Sequence, residues 1–331
     1  MTAPGSFLRS APLHAVCAAV LPLLLASCGR SGGGDTGDEG PRGRVTTSVI
    51  QADSNDVRWD AIRRGFGVSG TYQDGCFRVE FPRTDLQVRI GPHLLDPGFE
   101  LTSFFGFAPG ARGRVMAMGE VVMRPEEVAA VVAEARARGV TVAALHNHLL
   151  GEEPRIVYLH LSAEGPVDSV AAGLRAVLAR TAAPLRPADR PEPSTADWKP
   201  IDGILGEHEE AEGPVAEYVF PRKEAHAVHG MEVKSAGVLE TATEVVFQDL
   251  GGGRAAVTGE AFVRPDEVDA VVSALETHGL HVTAIHNHTL DESPRMFWIH
   301  WYATGDGPTL ARGVAAALAA TNSERESRGG D

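Results

Sequence analysis

The sequence predicts an α+β protein built from two tandem repeats, each a mostly antiparallel sheet with helices on one face. Three observations predict it. The stretch ALHNHLLGEEPRIVYLH, ending at His160, returns as AIHNHTLDESPRMFWIH, ending at His300, with the second copy 140 residues after the first. Outside that stretch, Phe81-Pro82-Arg83 returns as Phe220-Pro221-Arg222, and Gly119-Glu120 before Arg124-Pro125 returns as Gly259-Glu260 before Arg264-Pro265. Within each copy, β-rich or alternating segments outnumber helical ones and cluster ahead of them, the pattern of an α+β sheet rather than of alternating βα units.

Residues 1–27 carry one Arg and no acid, then an apolar run through Val20, Leu21 and Leu23 to Leu25 that ends in small residues. So short an apolar run before small residues is a signal peptide, because a membrane span needs about 20 apolar residues. Leu25-Ala26-Ser27-Cys28 resembles the bacterial lipobox, which implies that Cys28 becomes the lipidated first residue and anchors the chain without spanning the membrane. Residues 28–57, rich in Gly, Ser and Asp, read as a flexible tether. The first repeat domain covers 58–181, a Pro-rich linker 182–197, the second repeat domain 198–321 and a polar tail 322–331.

In the first repeat, Phe77 to Phe81, Leu86 to Ile90, Leu101 to Phe107 and Val115 to Met123 read as strands, with Pro109-Gly110 and Gly113 turning between the last two. Pro125 opens a helix through Val128, Val131, Val132 and Ala135 that Gly139 ends. Val140 to Leu145 and Ile156 to Leu161 are strands on either side of the HNH tripeptide, and Val167 to Leu178 is a closing amphipathic helix. The order is β-β-β-β-α-β-β-α in each copy. Trp59 and Trp198 open the repeats and pack the helix that begins each.

The chemistry lies in the histidine stretch. Residues two apart on a strand share a face, so His146 pairs with His148 and His286 with His288 as chelating pairs. A hairpin centred on Glu153 would set His160 opposite His146 and leave Glu152 near the turn. His146, His148, Glu152 and His160, with His286, His288, Glu292 and His300, then form one divalent-metal site per repeat, of three imidazoles and a carboxylate, suited to zinc, manganese, iron, nickel or copper. Of the two acids in GEEPR, Glu152 is the better ligand candidate, because Glu153 meets Ser293 in the second copy. Glu120 and Glu260 are candidates for a further ligand, a partner that orients an imidazole, or a general base. Arg155 and Arg295, behind Pro154 and Pro294, can orient an anion or clamp Glu152 and Glu292. These four are the catalytic candidates. A structural brace of Arg, Glu and histidines around a proline turn is the plain alternative.

Tyr158 and Trp298 share the histidine face as core or pocket wall. His93, His208, His226, His229, His278 and His281 have no counterpart and read as surface residues. The letters HNH, the first cupin motif and the Glu, helix, His-x-His order of JAMM-type metalloproteases each match in part. The nuclease letters do not denote a tripeptide, the cupin's last His lies far downstream, and the JAMM Ser and Asp are missing.

Net charge −14 and the lack of a basic stripe exclude nucleic acid as a partner. With Cys17 in the signal and Cys28 lipidated, Cys76 alone remains, read as a small buried strand residue, so no intramolecular disulfide forms.

With the lipobox, the FPR block, GVTVAALHNHLLGEEPRIVYLH and GLHVTAIHNHTLDESPRMFWIH in view, the chain resembles the LppY/LpqO lipoprotein family, whose repeated unit is domain of unknown function 1259. The resemblance covers nearly all of both repeats. It implies an extracytoplasmic lipoprotein of the bacterial cell envelope, partnered with the membrane through Cys28, and implies no reaction. Three functions stay open: a lipid-anchored metal-binding protein, a metal-free module for a cell-wall glycan or small anionic ligand, and a metal-dependent hydrolase.

Overall fold

The computed structural model describes residues 54–73, 75–185, 192–194, 196–233 and 237–324. Residues 1–53, which include the expected signal peptide, Cys28 and most of the expected tether, lie outside them, as do parts of the expected linker and the end of the expected tail. Among the described residues no helix is long and apolar enough to cross a membrane.

The first repeat begins with helix α1 (Val57–Phe66), then strands β1 (Thr71–Gln73), β2 (Cys76–Pro82), β3 (Arg89–Ile90), β4 (His93–Leu94), β5 (Thr102–Pro109) and β6 (Arg114–Met123). Helix α2 (Val128–Ala137), β7 (Thr141–His146), β8 (Glu152–Glu153), β9 (Val157–Pro166) and α3 (Val167–Leu178) complete it. The second repeat follows the same course. It runs through α4 (Lys199–Leu205), β10 (Glu210–Glu212), β11 (Val215–Pro221), β12 (His226–Val228), β13 (Met231–Val233), a single 3-10 turn (Gly237–Leu239), β14 (Ala242–Gly251) and β15 (Arg254–Val263). It ends with α5 (Val268–Thr277), β16 (His281–His286), β17 (Glu292–Ser293), β18 (Phe297–Asp306) and α6 (Gly307–Leu318).

Each repeat forms a six-stranded, wholly antiparallel sheet, ordered β1-β2-β5-β6-β9-β7 and β10-β11-β14-β15-β18-β16. The α+β reading with two repeats therefore holds. The structure adds short strands: the expected strand from Leu86 contracts to Arg89–Ile90, which leaves the main sheet and pairs with β4 and β8. The histidine hairpin also has a different register. His146 faces Tyr158 and His160 faces Ala144, pairs centred one residue earlier than Glu153, and a bulge between Val142 and Ala144 shifts the register again beyond them.

Local signals fix the helix ends. Asp56 accepts the Arg58 N–H at the start of α1, and Gly67, at φ 76°, closes it in the left-handed conformation that a Cβ disfavours. The retained FPR block is a brace. The Arg83 side chain is fully buried and donates to Glu127, Asp85 and the Val122 carbonyl. Arg222 repeats this with Glu267, Glu224 and the Phe262 carbonyl. Glu127 in turn accepts the Arg124 and Ala182 N–H groups, tying the start of α2 to the end of the repeat.

Strand parity divides each sheet into two faces. Val115, Ala117, Val121 and Met123 of β6, with Leu159 and Leu161 of β9, pack under α1, α2 and α3 around Trp59 and Phe66. The opposite face meets the second repeat. Met116 and Met118 share a cluster with Val228, Val238 and Leu239, and Val122 and Tyr158 share one with Val215 and Ala256. The layers run helix, sheet, sheet, helix. Gly106 permits the contact, since a Cβ there would fall 2.1 Å from the Val238 carbonyl oxygen. Gln248 bridges the copies by donating to the Leu94 carbonyl (2.8 Å) and accepting the Asp96 N–H (2.9 Å). Cys76 is buried on β2 without a disulfide.

Candidate metal centre

His146 ends β7, His148 follows two residues later, and His160 lies in β9 directly across from Glu120 of β6. The Glu120 Oε2 atom lies 3.0 Å from His148 Nε2, 3.2 Å from His160 Nε2 and 3.6 Å from His146 Nε2. In the second repeat Glu260 sits across from His300 and lies 3.3 Å from His288 Nε2 and 3.6 Å from His300 Nε2. Glu120 and Glu260 are thus at the centres of the histidine sets.

The two sets are not separate. Both are on the inner faces of the sheets, and the packing of the repeats stacks imidazoles across the interface. Ring centroids are 3.8 Å apart for His146 and His286, 3.9 Å for His148 and His300, and 3.6 Å for His160 and His288. Where one site in each hairpin was expected, six histidines form one continuous cluster. Groups with donor atoms within 4.8 Å of one another mix the copies: His146 with His286 and His300, and His160 with His286 and His288. The edges β7 and β16 are joined as well, by Thr283 donating to the His148 carbonyl (2.6 Å) and Asn147 to the Thr283 carbonyl (3.1 Å).

Glu152 and Glu292 are placed elsewhere. The Glu152 Oε1 atom accepts the Ile156 N–H at 3.2 Å, and Glu292 accepts the Met296 N–H and the Thr289 hydroxyl. They cap their own loops and belong to none of the close donor groups. Arg155 and Arg295 reach back to these same acids at 3.5 and 3.2 Å, with their side chains half exposed, away from the histidines. His226, expected at the surface, is buried against Phe262 with its Nε2 3.6 Å from Glu292. Tyr158 and Trp298 floor the centre, stacking on His148 at 3.6 Å and His288 at 3.9 Å.

Two acids were missed from the sequence. Glu100 lies 2.5 Å from His148 Nδ1, and Glu240 lies 3.5 Å from His288 Nδ1 and 4.0 Å from His160 Nδ1. Both hold a positive φ, 67° and 49°, uncommon for a non-glycine residue. The signal was present, since Glu100 and Glu240 are also 140 residues apart, but they lie outside any block of identity.

Burial, then the charge of neighbouring histidines, pulls His146, His160, His288 and His300 well below the usual imidazole range and His286 down to about 3. These five rings are neutral, with lone pairs free for a ligand. Burial pulls His148 the same way, but Glu120 and Glu100 outweigh it and push it up to about 9. Buried polar atoms are ordinarily hydrogen-bonded. Here His146 Nδ1, His160 Nε2 and both ring nitrogens of His286, His288 and His300 are buried and make no hydrogen bond. Ligand atoms about 2.0–2.1 Å from a tetrahedral zinc ion lie roughly 3.4 Å apart. The spacings of 3.0 to 3.6 Å around Glu120 fall close to that value.

No curated protein matches the chain. Among solved structures, the trimeric bacterial microcompartment shell protein PduB is 11% identical over 76% of this chain and 93% of its own, with a TM-score of 0.19. EtuB from Clostridium kluyveri is 13% identical over 65% and 89%, with a TM-score of 0.16. Likenesses at these scores carry no argument about fold or function. A family model described as Domain of Unknown Function (DUF1259) matches residues 60–180 and again 199–320.

Proposed function

The chain belongs to the DUF1259 family, which it carries in two tandem copies, and we propose that it is a lipid-anchored metal-binding protein of the bacterial envelope. In this reading, His146, His148, His160, His286, His288 and His300, with Glu120 and Glu260, hold divalent transition metal between the repeats. The observation that carries it is the set of buried imidazole nitrogens without a hydrogen bond. Leaving such groups unsatisfied costs about 1–3 kcal/mol each, and a metal ion removes that cost for several at once. Six imidazoles against two carboxylates favour zinc, copper, nickel or iron over manganese, which prefers oxygen.

The lipobox-like Leu25-Ala26-Ser27-Cys28 supports anchorage at Cys28 and an extracytoplasmic address. The HNH to PR to His block supports placement with the LppY/LpqO lipoproteins. A module gripping a glycan or anion without metal would need Arg155 and Arg295, and these are bonded to Glu152 and Glu292 in their own loops, which favours the metal reading.

Metal analysis of protein purified without a histidine tag tests the proposal. At least one equivalent of transition metal per chain, lost on His146→Ala and His286→Ala, is expected. Less than one equivalent, unaffected by those changes, would refute it.

A further inference from the structure

We infer that the second repeat builds an additional, oxygen-only cation site from Glu240, Glu244 and Glu260, and that Glu260 bridges it to the histidine centre. One carboxylate oxygen from each of the three lies within 4.8 Å of the others. The residues are 9%, 8% and 5% exposed. The Glu244 Oε1 and Glu260 Oε1 atoms are buried and make no hydrogen bond. The cation acting on all three is Arg78, whose own bonds go to Glu80 and the Gly237 carbonyl. One guanidinium against three carboxylates leaves buried negative charge unpaired, which is costly unless a cation or protons neutralise it.

The site belongs to one repeat only. Cross-strand register makes Glu244, opposite Glu260, the counterpart of Phe104, opposite Glu120. It likewise makes Glu217 the counterpart of Arg78, whose guanidinium lies 3.8 Å from the Phe104 ring. The first copy therefore fills this position with an apolar ring under a cation, and the second fills it with acids. Three carboxylates and no nitrogen suit a hard divalent ion such as manganese, magnesium or calcium, with ligands at about 2.0–2.6 Å. Through Glu260, 3.3 Å from His288 and 3.6 Å from His300, that ion shares a ligand with the histidine centre. Carboxylate-bridged pairs of this kind hold their ions about 3.5–4 Å apart. The inference rests on the proposed function only for this shared ligand.

The test is a Mn2+ titration of the whole chain, followed by electron paramagnetic resonance, run with and without prior loading by Zn2+. One equivalent of bound Mn2+ is expected in the zinc-loaded protein. Glu244→Gln and Glu244→Phe, which restores the first copy's residue, should each weaken Mn2+ binding at least 10-fold while zinc content stays at the wild-type level. Uptake of Mn2+ by these variants equal to that of wild type, or no uptake by wild type, overturns the site. Absence of bound zinc with normal, Glu244-dependent Mn2+ uptake would instead refute the histidine centre and leave the carboxylate site standing.

Discussion

His160 and His288 stack with their ring centroids 3.6 Å apart and their planes 29° apart, although they belong to different repeats. The imidazoles of the two sets therefore pack into one cluster across the interface, with Glu120, His146, His148 and His160 also forming a close donor group within the first repeat.

A chelator should lower the thermal midpoint of the wild-type protein. A ligand present at 100 times its Kd stabilises by about 2.7 kcal/mol. His160→Ala and His288→Ala should each remove most of that difference, and the double variant should lose little more than either alone, because the two rings serve one centre. Additive losses in a scanning calorimetry series would contradict a shared centre.

Stability against pH should show a maximum in mildly acidic solution when metal is absent. The five histidines held below their usual 6.5 stay neutral in the fold, so below 6.5 the unfolded chain binds more protons and stability falls as pH drops. In the opposite sense, burial and neighbouring carboxylates raise Glu240, Glu244 and Glu260, and burial first of all raises Glu217 to about 7, from the usual 4.5. The fold keeps protons that the unfolded chain releases above 4.5, so these groups lose stability as pH rises. His148, raised to about 9, contributes fully below 6.5 and ceases to contribute as pH climbs through 9. The maximum is expected between about 4.5 and 6.5, and divalent metal, which replaces protons, should move it upward. Urea midpoints measured across pH with EDTA and with zinc check this.

Glu100→Gln and Glu240→Gln should weaken metal affinity by roughly 10–100-fold, the usual cost of removing a carboxylate that orients a histidine ligand. Competition titration against a chromophoric chelator reads the change. An unaltered affinity would make both acids bystanders despite their 2.5 and 3.5 Å contacts to His148 and His288.

Gly106→Ala touches no candidate ligand, yet its Cβ would meet the Val238 carbonyl of the second repeat. Overpacking of this kind costs about 1–3 kcal/mol. If the repeats share the centre, metal affinity should fall together with the urea midpoint. Retained affinity at reduced stability would separate docking from metal binding.

Arg83→Ala should behave in the reverse way. It removes the buried pairs to Glu127 and Asp85 and leaves Glu127 only the longer 3.6 Å pair with Arg124 and its backbone N–H bonds, a loss of up to about 3–5 kcal/mol, while the histidines on the other face of the sheet keep their positions. Denaturation curves should shift strongly and metal stoichiometry should not change.

The repeat itself made much of this visible. Alternation in Val115 to Met123 carries both faces of β6, and capping residues carry the helix ends, because such signals act between residues close in sequence. Retention across the copies marked the six histidines, Glu120 and Glu260. The same rule marked Glu152, which the structure uses to hold the Ile156 N–H, because retention reports constraint without saying whether it serves a loop or a ligand. Glu100 went unnoticed since it stands in a loop without periodicity.

From sequence alone came the duplication, the α+β class, the antiparallel sheets and the face on which the histidines lie, all set by local spacing and the two-residue period of a strand. Which carboxylates meet those histidines, and that the two sets merge, depend on the order of strands and on the packing of one sheet against another. His160 lies beside Glu120 because β9 returns between β6 and β7, and His160 lies over His288 because two complementary faces bury each other. Both are contacts between residues far apart in the chain, fixed by burial and shape and by no pattern within either repeat.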